Sequence, residues 1–157
     1  MSGGFGAALL FRRPTLTLAL AALLLLAPSL IAGTLLSDNA AWNLNWADQF
    51  ARQVQGGILY PRWLADSFRG LGAPTFYFYP PLPFWIDALV SIATLDALSV
   101  AHRLAVSAAV ILWLSGLAMH RWLQAEGARP RPALVGALLY MAAVSYTHLT
   151  LPTICSV

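Results

Sequence analysis

The sequence predicts an all-α protein built into a bilayer: a polytopic integral membrane protein, of which this chain is an N-terminal fragment, with transmembrane helices and an extracytoplasmic loop that carries interfacial helices. Three observations predict it. Hydrophobic residues make up 59% of the 157 positions and charged residues only 10%, with a mean hydropathy of +0.70; a soluble domain of this size carries about 25% charged residues to cover its surface. An uncharged run at Thr15–Leu36 and a largely apolar one at Leu98–Leu117 have the length of bilayer crossings. Between them lies a segment rich in Gly, Pro and aromatic residues, with FYFYPPLPFW at Phe76–Trp85. All nine basic residues are Arg, and no basic cluster is interleaved with stacking aromatics, so the net charge of +3 does not point to nucleic acid.

The elements follow in order. Residues 1–14 carry Arg12 and Arg13, and the positive-inside tendency puts them in the cytoplasm. Thr15–Leu36 then has 22 residues without a charge. As a helix rising 1.5 Å per residue it reaches roughly 33 Å, enough for a hydrocarbon core of about 30 Å. A cleaved leader is the rival reading. The run is longer than a leader's apolar core, and Ser29-Leu30-Ile31-Ala32-Gly33 is a poor small-x-small site.

Residues 37–97 form the loop. Ser37 or Asp38 can cap a helix over about 38–55, in which Trp42, Trp46, Phe50 and Val54 recur every fourth residue and share one face. That face suits either the headgroup region or the protein's own core. Gly56-Gly57 can stop the helix. Phe76–Trp85 holds six aromatic residues and three prolines, which regular structure does not accommodate. At membrane level such a segment is tolerated in water, against protein or lining a cavity, and it can wall a pocket. The alternative is an aromatic belt without a ligand. A second apolar helix, about 84–95, is too short to cross comfortably and reads as interfacial.

The next crossing is placed at 98–120, with His102 and Arg103 near its start and His120 and Arg121 at its end. If 84–95 stays at the interface, the Arg-bearing loop at 121–131 is cytoplasmic, which agrees with the positive-inside bias. Residues 132–143 begin a third crossing. Val144–Thr153 resembles the in-frame translation of a transposon-derived sequencing adapter, so 144–157 is set aside from the fold and 132–143 is read as truncated. The single cysteine, Cys155, lies in that tail.

Several motifs in this order resemble a known group. They are Asp38, then GILYPRW at Gly57–Trp63, then Gly70-x-Gly72-x-Pro74 leading into FYFYPPL at Phe76–Leu82, then Ala101-x-Arg103-Leu104. Over roughly 15–143 the chain resembles bacterial 6-pyruvoyl-tetrahydropterin synthase-related multispanning membrane proteins, a name that implies no synthase activity. More distantly it is similar to the polyprenyl-phosphate-sugar-dependent integral-membrane glycosyltransferases of the protein mannosyl and aminoarabinose transferase type, with the GT-C fold. The resemblance implies a multi-pass protein of the bacterial inner membrane, with membrane lipid and a polyprenyl-phosphate-linked sugar as partners. The implied activity is sugar transfer at the extracytoplasmic face. The alternative is a non-catalytic multispanning protein that binds or moves lipid-linked glycans or envelope polymers, and a third reading is a plain membrane anchor.

Residue by residue, the resemblance implies that Asp38 acts as general base on an acceptor hydroxyl. Arg62 and Arg103 would bind the lipid phosphate, since a guanidinium matches phosphate in two-point geometry. Tyr79 would line the same pocket. Against these stand ordinary roles: a helix cap for Asp38, a solvated charge for Arg62, a snorkelling Arg103 and a belt Tyr79. Asp87, in the short apolar helix, is either functional or turned to water. His102 and His120 read as interfacial, and Asp48 and Asp66 as solvated acids. A divalent metal is the one cofactor the resemblance brings in; the transferases carry a second acidic residue after the first, and Asn39 stands there. No residue is assigned to hold a metal, because no His, Cys or carboxylate spacing suits one.

Overall fold

The structure is a computed structural model, and it describes residues 13–33 and 40–150, with side chains as far as Ser145. Over these residues the protein is all-α. The helices are α1 (Pro14–Leu25), α2 (Ala27–Ala32), α3 (Ala40–Gln55), α4 (Thr75–Phe78), α5 (Leu82–Ala93), α6 (Val100–Ala125) and α7 (Pro130–Thr150). The described residues contain no strand beyond an isolated antiparallel bridge between Leu64 and Ala73. They divide into two compact units. One comprises the chain through Pro28 and from Ala109 onwards; the other is Ser29–Ala108.

In the first unit, Pro14 sits in the opening turn of α1, where a missing N–H costs nothing and the fixed φ suits a helix. The uncharged run from Thr15 is helical in two pieces rather than one. α1 stops at Leu26, and α2 restarts at Ala27. The cause is Pro28, which offers no N–H to the Leu24 carbonyl and whose ring crowds it. Leu18 and Ala22, one turn apart on α1, pack into a core with Leu112 of α6 and Leu134, Ala137 and Met141 of α7. Trp113 Nε1 donates to the Thr15 carbonyl at 3.1 Å. The Met141 thioether lies directly over Gly116, where a β-carbon would collide with it. Small residues let helix backbones approach in this way.

α7 runs on to Thr150, so helix continues through the first residues of the tail set aside on sequence grounds. Residues 151–157, including Cys155, lie outside the described residues.

The second unit is organised on α3 and α5. Its core gathers Ala47, Phe50 and Ala51 of α3, Leu64 and Phe76 of the connection, and Phe84 and Ala88 of α5. Phe50, Phe76 and Phe84 meet in edge-on or tilted contacts, with centroids 4.9 Å apart for Phe50–Phe76 and for Phe76–Phe84. Edge contacts place the positive rim of one ring on the negative face of the next. The four-residue stripe on α3 therefore faces the protein at Phe50, Trp46 and Val54, while Trp42 is about half exposed. α3 ends on Gly57 with φ +92; the Gly57 N–H reaches the Val54 carbonyl and the Ile58 N–H the Gln53 carbonyl. This closing pattern needs a left-handed residue, which glycine supplies without strain.

Among the described residues one helix, Val100–Ala125, is long and apolar enough to cross a membrane. Pro14–Leu25 and Leu82–Ala93 are apolar but shorter, at 12 residues each.

Candidate functional site

The Phe76–Trp85 segment becomes a single helical turn, α4, then an extended Tyr79 and two prolines, then α5, with Pro83 in its first turn. The prolines fix the path between the two helices, and the aromatic rings leave it in different directions. Phe76 and Phe84 go into the core, whereas Tyr77, Phe78 and Tyr79 stay exposed.

Tyr79 and Phe84, with Pro80 and Pro83, line an open cleft of ≈ 470 Å³. α3 contributes Trp42, Asn43 and Trp46, and Phe68 completes it from the connection. Trp46 and Tyr79 are 5.0 Å apart, and Trp42 and Phe68 5.7 Å, both pairs tilted. The cleft is aromatic, has one amide and carries no charged side chain among its lining residues. Its volume lies in the usual range for small-molecule sites, about 300–1,000 Å³. Trp42 and Trp46 lie one helical turn apart, so the periodicity of α3 contains this feature. The contribution of Phe68 depends on a turn in which Phe68 and Arg69 both take positive φ, 51° and 60°, and nothing in the sequence announces that.

The described residues among the site candidates do not converge. Asp38 lies outside the described residues. Tyr79 lines the cleft. Arg62 stands elsewhere, its guanidinium over the Tyr60 ring at 4.7 Å and near the Tyr77 ring at 5.6 Å.

Arg103 is buried rather than snorkelling, with 4% exposure. Its Nη1 donates to Ser91 Oγ at 3.0 Å and to Asp96 Oδ1 at 3.1 Å, and its Nη2 lies 3.5 Å from Asp87 Oδ2. Asp96 also accepts from Gln55 Nε2 at 2.9 Å and from the Ser91 hydroxyl. Asp87 is fully buried and faces Arg103, so it is not turned to water.

The two carboxylates respond in opposite ways. Burial pushes Asp87 up to about 6, against the pull of Arg103. Hydrogen bonds from Ser91 and Gln55, with Arg103 adding, hold Asp96 below the usual carboxylate range. Neither Asp87 oxygen accepts a protein hydrogen bond, so the Arg103 charge is what offsets the cost of burying its carboxylate. Sequence reading missed Ser91, Asp96 and Gln55. The available signal was the spacing of Asp87 and Ser91, four apart on one face of α5.

Asp48 and Asp66 are surface acids that share Arg52, at 2.7 and 3.7 Å. His102 bonds Ser99 through Nδ1 at 2.7 Å, and His120 is buried. Among the described residues no three His, Cys, Asp or Glu side chains gather as metal ligands would. Compared with known proteins, the chain matches no family model, no curated protein and no solved structure.

Proposed function

We propose that this chain is part of a multispanning protein of the bacterial inner membrane that accepts a polyprenyl-phosphate-linked sugar at the extracytoplasmic face and transfers the sugar. The cleft between Trp42 and Tyr79 receives the donor. The observation that carries this reading is the cleft itself: an open recess whose described lining is aromatic and uncharged, with one amide, Asn43. Aromatic faces suit the C–H faces of a pyranose and the isoprenoid chain alike, and Asn43 can pair with a hydroxyl. Asp38, two residues before α3 in the sequence, takes the proton from the acceptor hydroxyl as its oxygen bonds to the anomeric carbon, and the bond from that carbon to the phosphate oxygen breaks to release polyprenyl phosphate. Arg103 serves the fold by holding Asp96 and Asp87, and is not offered to the donor phosphate.

The second reading, binding or movement of lipid-linked glycans without chemistry, is favoured by one observation: among the described residues no carboxylate lines the cleft. One experiment separates the two. Binding of a polyprenyl-phosphate hexose is followed in nanodiscs, and transfer to acceptor is followed in the full-length parent. Trp42→Ala, at a half-exposed position, is expected to weaken binding by about tenfold, near 1.4 kcal/mol. Asp38→Asn is expected to bind normally and not transfer. Binding unchanged in Trp42→Ala removes the cleft from the reading. Binding without transfer in the unaltered parent leaves the non-catalytic one.

A further inference from the structure

We propose that Tyr60, Arg62 and Tyr77 form a subsite for the phosphate of an anionic phospholipid, which seats the connection between α3 and α5 on the outer leaflet. The inference rests on the reading that this connection lies at a membrane surface. It concerns a place separate from the cleft, since none of these three residues lines that recess.

Construction is the first support. The Arg62 guanidinium lies against two tyrosine rings, 4.7 and 5.6 Å from their centroids. Those rings are held by a stitched backbone: the Phe76 N–H donates to the Arg62 carbonyl at 3.2 Å, and the Tyr60 hydroxyl donates to the Phe76 carbonyl at 3.3 Å. Pro61, between Tyr60 and Arg62, is buried and anchors the strand of chain beneath them. A guanidinium resting on aromatic faces keeps the edges of its fork free for an anion, and less freedom is lost when one binds.

Charge is the second support. The other arginines of this unit are Arg52, Arg69 and Arg103. Arg52 is paired with Asp48 and Asp66, and Arg103 with Asp87 and Asp96. Arg62 forms no ion pair with any described residue, and neither does exposed Arg69. The platform therefore carries a positive charge, that of Arg62, which no described acidic residue pairs with, complementary to anionic headgroups.

Exposure is the third. Leu59, beside Tyr60, is 74% exposed, and Phe78, beside Tyr77, is 81% exposed. Large apolar side chains flanking a cation on aromatic rings match the interfacial layer, where apolar tips enter the acyl region and the charge stays with phosphate.

The test uses the full chain with Cys155→Ser and Phe78→Cys, labelled at position 78 with an environment-sensitive fluorophore. It is placed in nanodiscs of phosphatidylcholine alone or with phosphatidylglycerol. The expected result is a blue shift that is larger with phosphatidylglycerol, lost in Arg62→Gln, partly kept in Arg62→Lys, and not produced by inorganic phosphate added to phosphatidylcholine discs. Equal emission in both lipids, or an undiminished difference in Arg62→Gln, overturns the proposal. A shift driven by free phosphate, or by an added acidic peptide, also overturns it, by naming a different anion. Alkaline extraction tests the underlying membrane reading separately. A chain that stays in the membrane with a water-like label sinks the subsite alone. A chain that is extracted while vesicles still shift the label sinks the embedded reading alone.

Discussion

Asp87 and Asp96 show how little a residue's sequence neighbourhood says about its charge. Both are Asp, nine positions apart, and both face Arg103. Asp96 sits in the left-handed turn that closes α5, with φ +57, where glycine is the easier residue. Its carboxylate is what the position uses, for Ser91, Gln55 and Arg103. Asp87 has only the ion pair, at 3.5 Å. Its pKa rises from 3.8 unfolded to about 6 folded. Between those values the folded state holds a proton that the unfolded chain has released, so the contribution of Asp87 is most favourable below pH 3.8, falls as pH rises through about 6, and levels off above. Asp96, held low, contributes in the opposite sense, losing stability on acidification. Denaturation midpoints in detergent are expected to show the falling limb in the unaltered chain and to lose it in Asp87→Asn, leaving only the acid-side loss from Asp96. A limb that survives in Asp87→Asn assigns it to another group. The sequence marked Asp87 as unusual because it interrupts an apolar run; it did not reveal the partner, because Arg103, sixteen residues on, meets Asp87 only in the folded chain.

At the scale of elements, helices were legible and their interruptions less so. The helix expected over about 38–55 corresponds to α3, which ends at Gln55 as expected, and the one over about 84–95 to α5, displaced by two residues at each end. Periodicity and capping glycines are local signals, and they located both. The break at Leu26 is also local: Pro28 marks it, but apolar composition hides it when a run is judged by hydropathy alone. The turn from Leu64 to Ala73 was not legible beyond its glycines. It is closed by paired hydrogen bonds between Leu64 and Ala73, 2.9 Å each, and it presses the Trp63 ring onto Gly72, whose φ is +79. Gly72→Ala adds a β-carbon where the ring lies and forces a backbone conformation that alanine resists, at a cost of about 1–3 kcal/mol. Arg69 gives this turn its own tryptic site. Limited digestion there is expected to accelerate by roughly five- to a hundredfold, since each 1.4 kcal/mol is tenfold in the open population. An unchanged rate means that the turn opens without disturbing Trp63.

For the molecule as a whole, composition foretold an all-α chain and could not settle its arrangement. Spans were inferred from apolar length, yet one described helix has both the length and the hydropathy to cross. The aromatic segment was recognised as irregular, and its pocket depended on Phe68, a residue that becomes relevant only after folding. The proposed topology is tested by reporters: an enzyme active only outside the cytoplasm is expected to work when fused at Ala73 and to fail when fused at Ala128. Activity at Ala128, or silence at Ala73, reverses the loop assignment and removes the proposed donor site from the outer face. The seat of Met141 on Gly116 carries a different consequence. Oxidation would turn that buried apolar sulfur into a polar, pyramidal sulfoxide carrying an added oxygen. The joint between α6 and α7 is thus chemically fragile as well as tight, and oxidant exposure would loosen it from within.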